Sequence, residues 1–330
     1  MLGGDNEEEG GEEMIFDDIG SFPLPEGISK DWVEKNYQSK EYAEMVKRAF
    51  IMKQKAGVEL PNYPQFRDMN EMFLGIIRDE NKQEEPFVVK KDEAVIVELE
   101  VLKEMRVEAV RVCVTGPFEL YYREFGSKIY DDVLEAFGKS VARFVEKACE
   151  WEAVKCVSLD EPSLGTNPEL QPNVDQIQIA YEKIKASVDV QIHLHSPVFY
   201  REVLEVDTIN VIGIEAARDE KAMDFVDAEE IESYEKFLRV GVARSDFDAM
   251  IAEYNAKTGE NIWGDVEKME KALDEVESVE KIRGRLKKAV EKFGDRLKYI
   301  GADCGLMSFY SQELAFKHLK KIKEAKEGLR

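Results

Sequence analysis

The side chains of this sequence best suited to metal chemistry are two imidazoles, one carboxylate and one thiol. His193 and His195 stand two positions apart in a β-branched run, and the whole chain has only 3 histidines. A strand sends residues i and i+2 to the same face, so both imidazoles point one way. Glu215 closes the next apolar run and Cys304 closes the last. Nitrogen, oxygen and sulfur donors in a set of four suit zinc, which takes such ligands in a tetrahedron. Each member also has a plainer use. A His-x-His pair can serve hydrogen bonding alone, a single cysteine packs as a small hydrophobe, and Glu215 can cap the following helix. Convergence favours the metal, because the four come from three runs and fall at the same end of each.

Such convergence requires parallel strands whose ends share one rim. Short β-branched runs cover 14–21, 111–116, 154–162, 190–196, 211–216, 238–243 and 298–305, with a weaker one at 58–61. Between them, apolar residues at three- and four-residue spacing predict helices over 130–151, 174–186, 278–293 and 312–325. Strands alternating with helices make βαβ units, and eight of these can close into a barrel. A doubly wound open sheet gives a similar string, but the glycine-rich phosphate fingerprint of such sheets is missing. The expected fold is α/β: a single (β/α)8 TIM barrel over 14–330, with its chemistry at the C-terminal ends of the strands. One long connection, 244–277, follows the seventh strand. Its aromatics, Tyr254 and Trp263, and a helical pattern at 247–255 predict an ordered insertion on the active-site face.

The 330 residues are 44% hydrophobic, enough for one large core. No apolar run reaches membrane-spanning length and no apolar leader opens the chain, so a cytoplasmic protein without membrane contact is expected. Cys113, Cys149, Cys156 and Cys304 are scattered without disulfide-type spacing, which predicts reduced thiols. Lys+Arg is 46 against 69 Asp+Glu, a formal net charge of -23. That excess argues against nucleic acid, which is bound mainly through basic contacts to phosphate. It is also the pattern of surface ion-pair networks in heat-stable proteins, so it names no partner. The acidic run over 1–13 reads as a disordered tail, with Met14 as a candidate start.

Several short motifs, taken in order, resemble the catalytic barrel of cobalamin-independent methionine synthases. They are Ile19-Gly20-Ser21-Phe22-Pro23, Arg67-Asp68-Met69, Thr115-Gly116-Pro117, Asp160-Glu161-Pro162, Ile214-Glu215 and Asp303-Cys304-Gly305-Leu306. The resemblance runs from about Met14 to Lys323 and lacks the N-terminal half of the long enzymes. It is similar to the short core form, for which the implied methyl donor is methylcobalamin or a methylated corrinoid protein. The implied reaction is methylation of a small thiol, homocysteine, to give methionine. Family members bind zinc through His-x-Cys, Glu and Cys. Placing His193-Leu194-His195 on the first motif puts His195 where the family has cysteine, with Glu215 and Cys304 matching directly. An alternative placement sets His195 on the family histidine and Pro197 on its cysteine, leaving three ligands. In the first placement the exchange removes one thiolate charge, so a bound thiol is more acidic but also more tightly held.

The resemblance also implies a substrate site. Ser21, with the backbone at Ile19 and Gly20, would hold the carboxylate of the amino acid, and Asp160 would pair with its ammonium. Asp160 and Glu215 are the implied catalytic carboxylates. Without the resemblance, Ser21 and Pro23 read as a turn and Asp160 as a helix cap. Two family features are missing. Gln65 stands where the long enzymes carry a glutamate, and Gly241-Val242-Ala243-Arg244-Ser245-Asp246 lacks the acid histidine after the seventh strand. Loss of that acid suits a corrinoid donor, since a folate amine must be protonated as it leaves; Asp246 is the substitute if an acid is needed. The remaining histidine, His318, is expected to face solvent from the last helix. Two other readings remain: methylation of another thiol, such as a coenzyme thiol, or a zinc barrel that binds a ligand without turnover.

Overall fold

The computed structural model describes residues 14–329; the acidic tail expected over 1–13 lies outside the described residues. Nine strands form among them: β1 (Ile15–Phe16), β2 (Gln83–Glu85), β3 (Val88–Val89), β4 (Val110–Thr115), β5 (Val154–Glu161), β6 (Asp189–Leu194), β7 (Val211–Glu215), β8 (Phe237–Ala243) and β9 (Leu297–Ala302). The pair β2 and β3 is an antiparallel hairpin. The other seven build one parallel sheet in the order β1-β9-β8-β7-β6-β5-β4. Their sequences are apolar without strict alternation, and every residue of β4 is buried. A parallel sheet covered on both faces needs such runs.

Both edges of this sheet meet the same segment. Asp17 bridges to Leu60, Ser21 to Gln65, and Arg111 of β4 to Asn62, all in parallel sense. Leu60 N donates to Phe16 O at 3.1 Å, and Tyr63 N to Arg111 O at 3.3 Å. Residues 60–65 thus span the gap between β1 and β4 without forming a regular strand. The cause is local: Pro61 and Pro64 have no N–H to give to a ladder. The expected eight regular strands are corrected to seven, with an irregular segment in the remaining place.

The anticipated helices form at Asp131–Ala148, Val174–Tyr181, Val279–Phe293 and Gln312–Glu327. Four more lie between β1 and β4, at Lys30–Asn36, Lys40–Ala56, Glu71–Ile77 and Val97–Lys103. The longest starts at Ser39, whose side chain accepts from Tyr42 N, and stops at Gly57, where φ of 95° suits glycine. Residues 244–277 are ordered as two mutually packed helices, Phe247–Thr258 and Val266–Val276, burying Met250, Ile251, Met269 and Leu273. No helix of the described residues is long and apolar enough to cross a membrane.

Toward the N-terminal ends of the strands, Leu60, Cys156, Val211 and Tyr299 make a small apolar cluster. Level with Tyr299 and Cys156 in register, Arg239 and Arg111 are buried and pair with Asp17 at 2.9 Å and 3.3 Å. The C-terminal ends hold the residues singled out above.

Candidate metal centre and substrate cavity

His193, His195, Glu215 and Cys304 come together. One donor atom from each lies within 4.8 Å of all the others. Glu215 Oε1 is 3.5 Å from His193 Nε2 and 3.4 Å from His195 Nε2, and Cys304 Sγ is 3.6 Å from His195 Nε2. Bonds of about 2.0–2.3 Å to a tetrahedral ion require donor separations of roughly 3.3–3.8 Å, so these spacings fit. Neither ring nitrogen of buried His193 has a hydrogen-bond partner among the described residues, nor has Glu215 Oε1. Buried polar atoms are seldom left so, and an ion would satisfy all three at once. Burial and the adjacent His193 hold His195 below the usual imidazole range. Burial pushes Glu215 up, but His193, His195 and Arg239 outweigh it and hold the carboxyl below its ordinary value. Burial, with the charge of Glu215, pushes the Cys304 thiol well up. Neutral imidazole and carboxylate are the forms a cation binds, and a cation would reverse the thiol's preference.

Three of the four, His193, His195 and Cys304, line a cavity of about 320 Å³ together with Ile19, Ser21, Gln65 and Asp160. Asp160 is buried at the end of β5 and accepts from Ser158 Oγ at 2.8 Å. Ser21 is seated against Gly305, where a Cβ would overlap its Oγ. Gln65 comes from the irregular segment, its N–H bonded to Gly20 O at 3.0 Å. Gly20 itself does not line the cavity; its carbonyl also accepts from Lys53 Nζ, and a Cβ on it would meet Cys113 Sγ. Its place is one of close packing.

Nearly the whole length of the chain aligns with a curated relative. The methionine synthase of Pyrococcus furiosus is 25% identical over 353 aligned positions, covering 94% of this chain and 91% of that one. The chain is similar to a methionine synthase over almost all its residues. The resemblance carried by the short motifs is thus borne out beyond them. A B12-independent methionine synthase from Shewanella sp. W3-18-1, solved in complex with selenomethionine, shares the fold with a TM-score of 0.65. That alignment covers 96% of this chain and 98% of the other at 14% identity. No protein-family model matches the chain.

Other expected residues fall differently. His318 does not face solvent: it is fully buried, stacked on Phe309 at 5.0 Å between ring centroids, and burial with the charges of Lys321 and Arg285 pushes it down to about 3. Asp246 is ion-paired with Arg244 at 2.9 Å and Arg218 at 3.4 Å. Two residues quoted only as parts of motifs acquire places. Arg67 stands on the cavity wall, stacked 3.8 Å over the ring of Tyr37, with its Nε 4.0 Å from Glu34 and its Nη1 3.9 Å from Glu98. Asp303 accepts from three consecutive backbone amides after Glu215. A buried acid beside a ligand cysteine was the available signal for the second; nothing in the spacing marked the first.

Proposed function

We propose that this chain is a methyltransferase that moves a methyl group onto the sulfur of homocysteine, giving methionine, at a zinc ion held by His193, His195, Glu215 and Cys304. The observation that carries the reading is adjacency: three of the four donors line the same cavity as Ser21, Gln65 and Asp160. The relatives named for methionine synthesis support the reaction class. A zinc ion there would supply a Lewis acid that keeps a thiol deprotonated near neutral pH. The chain does the rest. Asp160 takes the ammonium in a charge-assisted hydrogen bond, and Ser21, with the Ile19 backbone, receives the carboxylate. Held at both groups, the amino acid has its sulfur aimed past Cys304. The thiolate forms the new S–C bond as the donor's bond to the methyl breaks, and that electron pair leaves with the donor.

The proposed donor is methylcobalamin or a methylated corrinoid protein. The structural neighbour is described as B12-independent, so this part rests on the present chain alone. Residues 244–246 adjoin the cluster, since Cys304 N donates to Ser245 Oγ at 3.1 Å, yet they offer no histidine. Asp246 has its oxygens engaged by Arg244 and Arg218. A folate amine needs a proton as it departs, whereas a reduced corrinoid does not. The helices Phe247–Thr258 and Val266–Val276, the first of which begins two residues after Ser245, are the proposed surface for the donor. A second reading, methylation of a coenzyme thiol with an anionic tail, is favoured by uncharged Gln65 and by Arg67 on the cavity wall. The test compares KM for homocysteine with KM for an anionic thiol lacking an ammonium. The first reading gives the lower KM to homocysteine, and the reverse order selects the second. Stoichiometric zinc with no transfer to any thiol would mark a binding protein instead.

A further inference from the structure

Glu215 ends β7 and Cys304 follows the end of β9 by two residues; the two strands are not neighbours, and β8 runs between them. Something must set the spacing of these two anionic groups across a full strand. The side chain of Asp303 makes that crossing. Its Oδ1 accepts from Ala216 N at 2.9 Å and Ala217 N at 2.8 Å, and its Oδ2 accepts from Arg218 N at 2.9 Å. These are the three amides that directly follow Glu215, and Asp303 directly precedes Cys304. The crossing passes over Gly241 of β8, where any Cβ would overlap the Asp303 carboxylate. Asp303 is itself held by its backbone N–H, which donates to Ala243 O at 2.7 Å. It is buried.

We infer that Asp303 is a positioning residue that fixes the carboxylate and thiolate donors of the cluster at metal-binding separation, and that Gly241 is glycine to let it cross. Three amides aimed at one carboxylate form a nest that a neutral or shorter side chain cannot fill. Outer-shell partners of this kind typically change metal affinity by about 10–100-fold when removed. The inference rests on the metal reading above, and the test separates the two. Full-length protein is loaded with Co2+, whose visible d–d bands and thiolate charge-transfer band report coordination, and compared with Asp303→Asn, Gly241→Ala and Ser140→Ala. Ser140 is buried far from the cluster, with its Oγ bonded to Val89 N and Phe87 O, so its loss lowers stability without touching the site. The expected result is at least tenfold weaker Co2+ binding and altered bands in Asp303→Asn and Gly241→Ala. Ser140→Ala should keep the wild-type spectrum despite a lower melting temperature. Wild-type affinity and bands in Asp303→Asn would overturn the inference. Failure of the unaltered protein to bind Co2+ or zinc would overturn the metal reading beneath it.

Discussion

The two arcs of the strand rim are built in different ways. On one, β6, β7 and β9 are regular and paired on both sides, and their ends deliver His193, His195, Glu215 and Cys304. On the other, two-residue β1 and the proline-broken segment 60–65 carry Ser21 and Gln65 through isolated bridges. Four donors spaced for one ion tolerate only a few tenths of an ångström of error, which a fully paired sheet can hold. A wall that recognises the far end of a substrate tolerates irregular backbone and exchange of its side chains. Gln65, one departure from the motif pattern, falls on the irregular arc, whereas the missing histidine of 241–246 falls at the end of regular β8. The one departure among the ligands, His195, keeps a metal-binding group.

The division can be broken from either side. The largest effect is expected for Cys304→Ala, which removes an anionic donor. Zinc affinity should fall by more than about 100-fold, beyond what outer-shell changes produce, as read by competition with a chelator. Thiol methylation should vanish while the far-ultraviolet dichroism is kept. On β5, in register with His193 but proposed to face the substrate, Asp160→Asn should leave zinc stoichiometry untouched. Loss of a hydrogen bond to a charged group is worth about 1.5–3 kcal/mol, so KM for homocysteine should rise roughly 10–100-fold. A parallel loss of zinc in this variant would show that substrate binding and metal binding are not separable.

Behind the metal arc, His318 gives a pH signature. Its folded value is pushed down to about 3, against about 6.5 for an unfolded chain. Its contribution to stability is therefore complete above about pH 6.5 and is lost as pH falls toward the folded value. The slope is about 1.4 kcal/mol per pH unit for one proton. His318→Phe, which keeps a ring against Phe309, should flatten urea-midpoint curves between about pH 6 and 4; an unchanged slope would place the titrating group elsewhere. The smallest effect belongs to Gln65→Ala. One neutral hydrogen bond is worth about 1 kcal/mol, so KM should rise about fivefold with kcat little changed.

Much of this was legible where side chains and periodicity agree. The buried runs of β4 to β9 are β-branched and bounded by turns, and four donor types at strand ends are a rare coincidence. Between 22 and 110 only the weak run at 58–61 was read as an element: Pro61 and Pro64 break its strand pattern, helices such as Lys30–Asn36 have only 7 residues, and the 17-residue Lys40–Ala56 was missed. His318 was misread for a different reason. Its helix, Gln312–Glu327, is rich in lysine and glutamate, and that charge hides the buried stripe of Leu314, Ala315, His318, Leu319 and Ile322. Read at helical spacing, the stripe places the imidazole inside. The reach of Asp303 across Gly241 depends on sheet order, which no local pattern encodes.

The central claim is that the cluster and the adjoining cavity together methylate homocysteine. Its most direct test incubates zinc-loaded protein with homocysteine and either methylcobalamin or methyltetrahydrofolate, and measures the methionine formed. The account predicts methionine from methylcobalamin, little from the folate, and none from Cys304→Ala. Stoichiometric zinc with no methionine from either donor would contradict it.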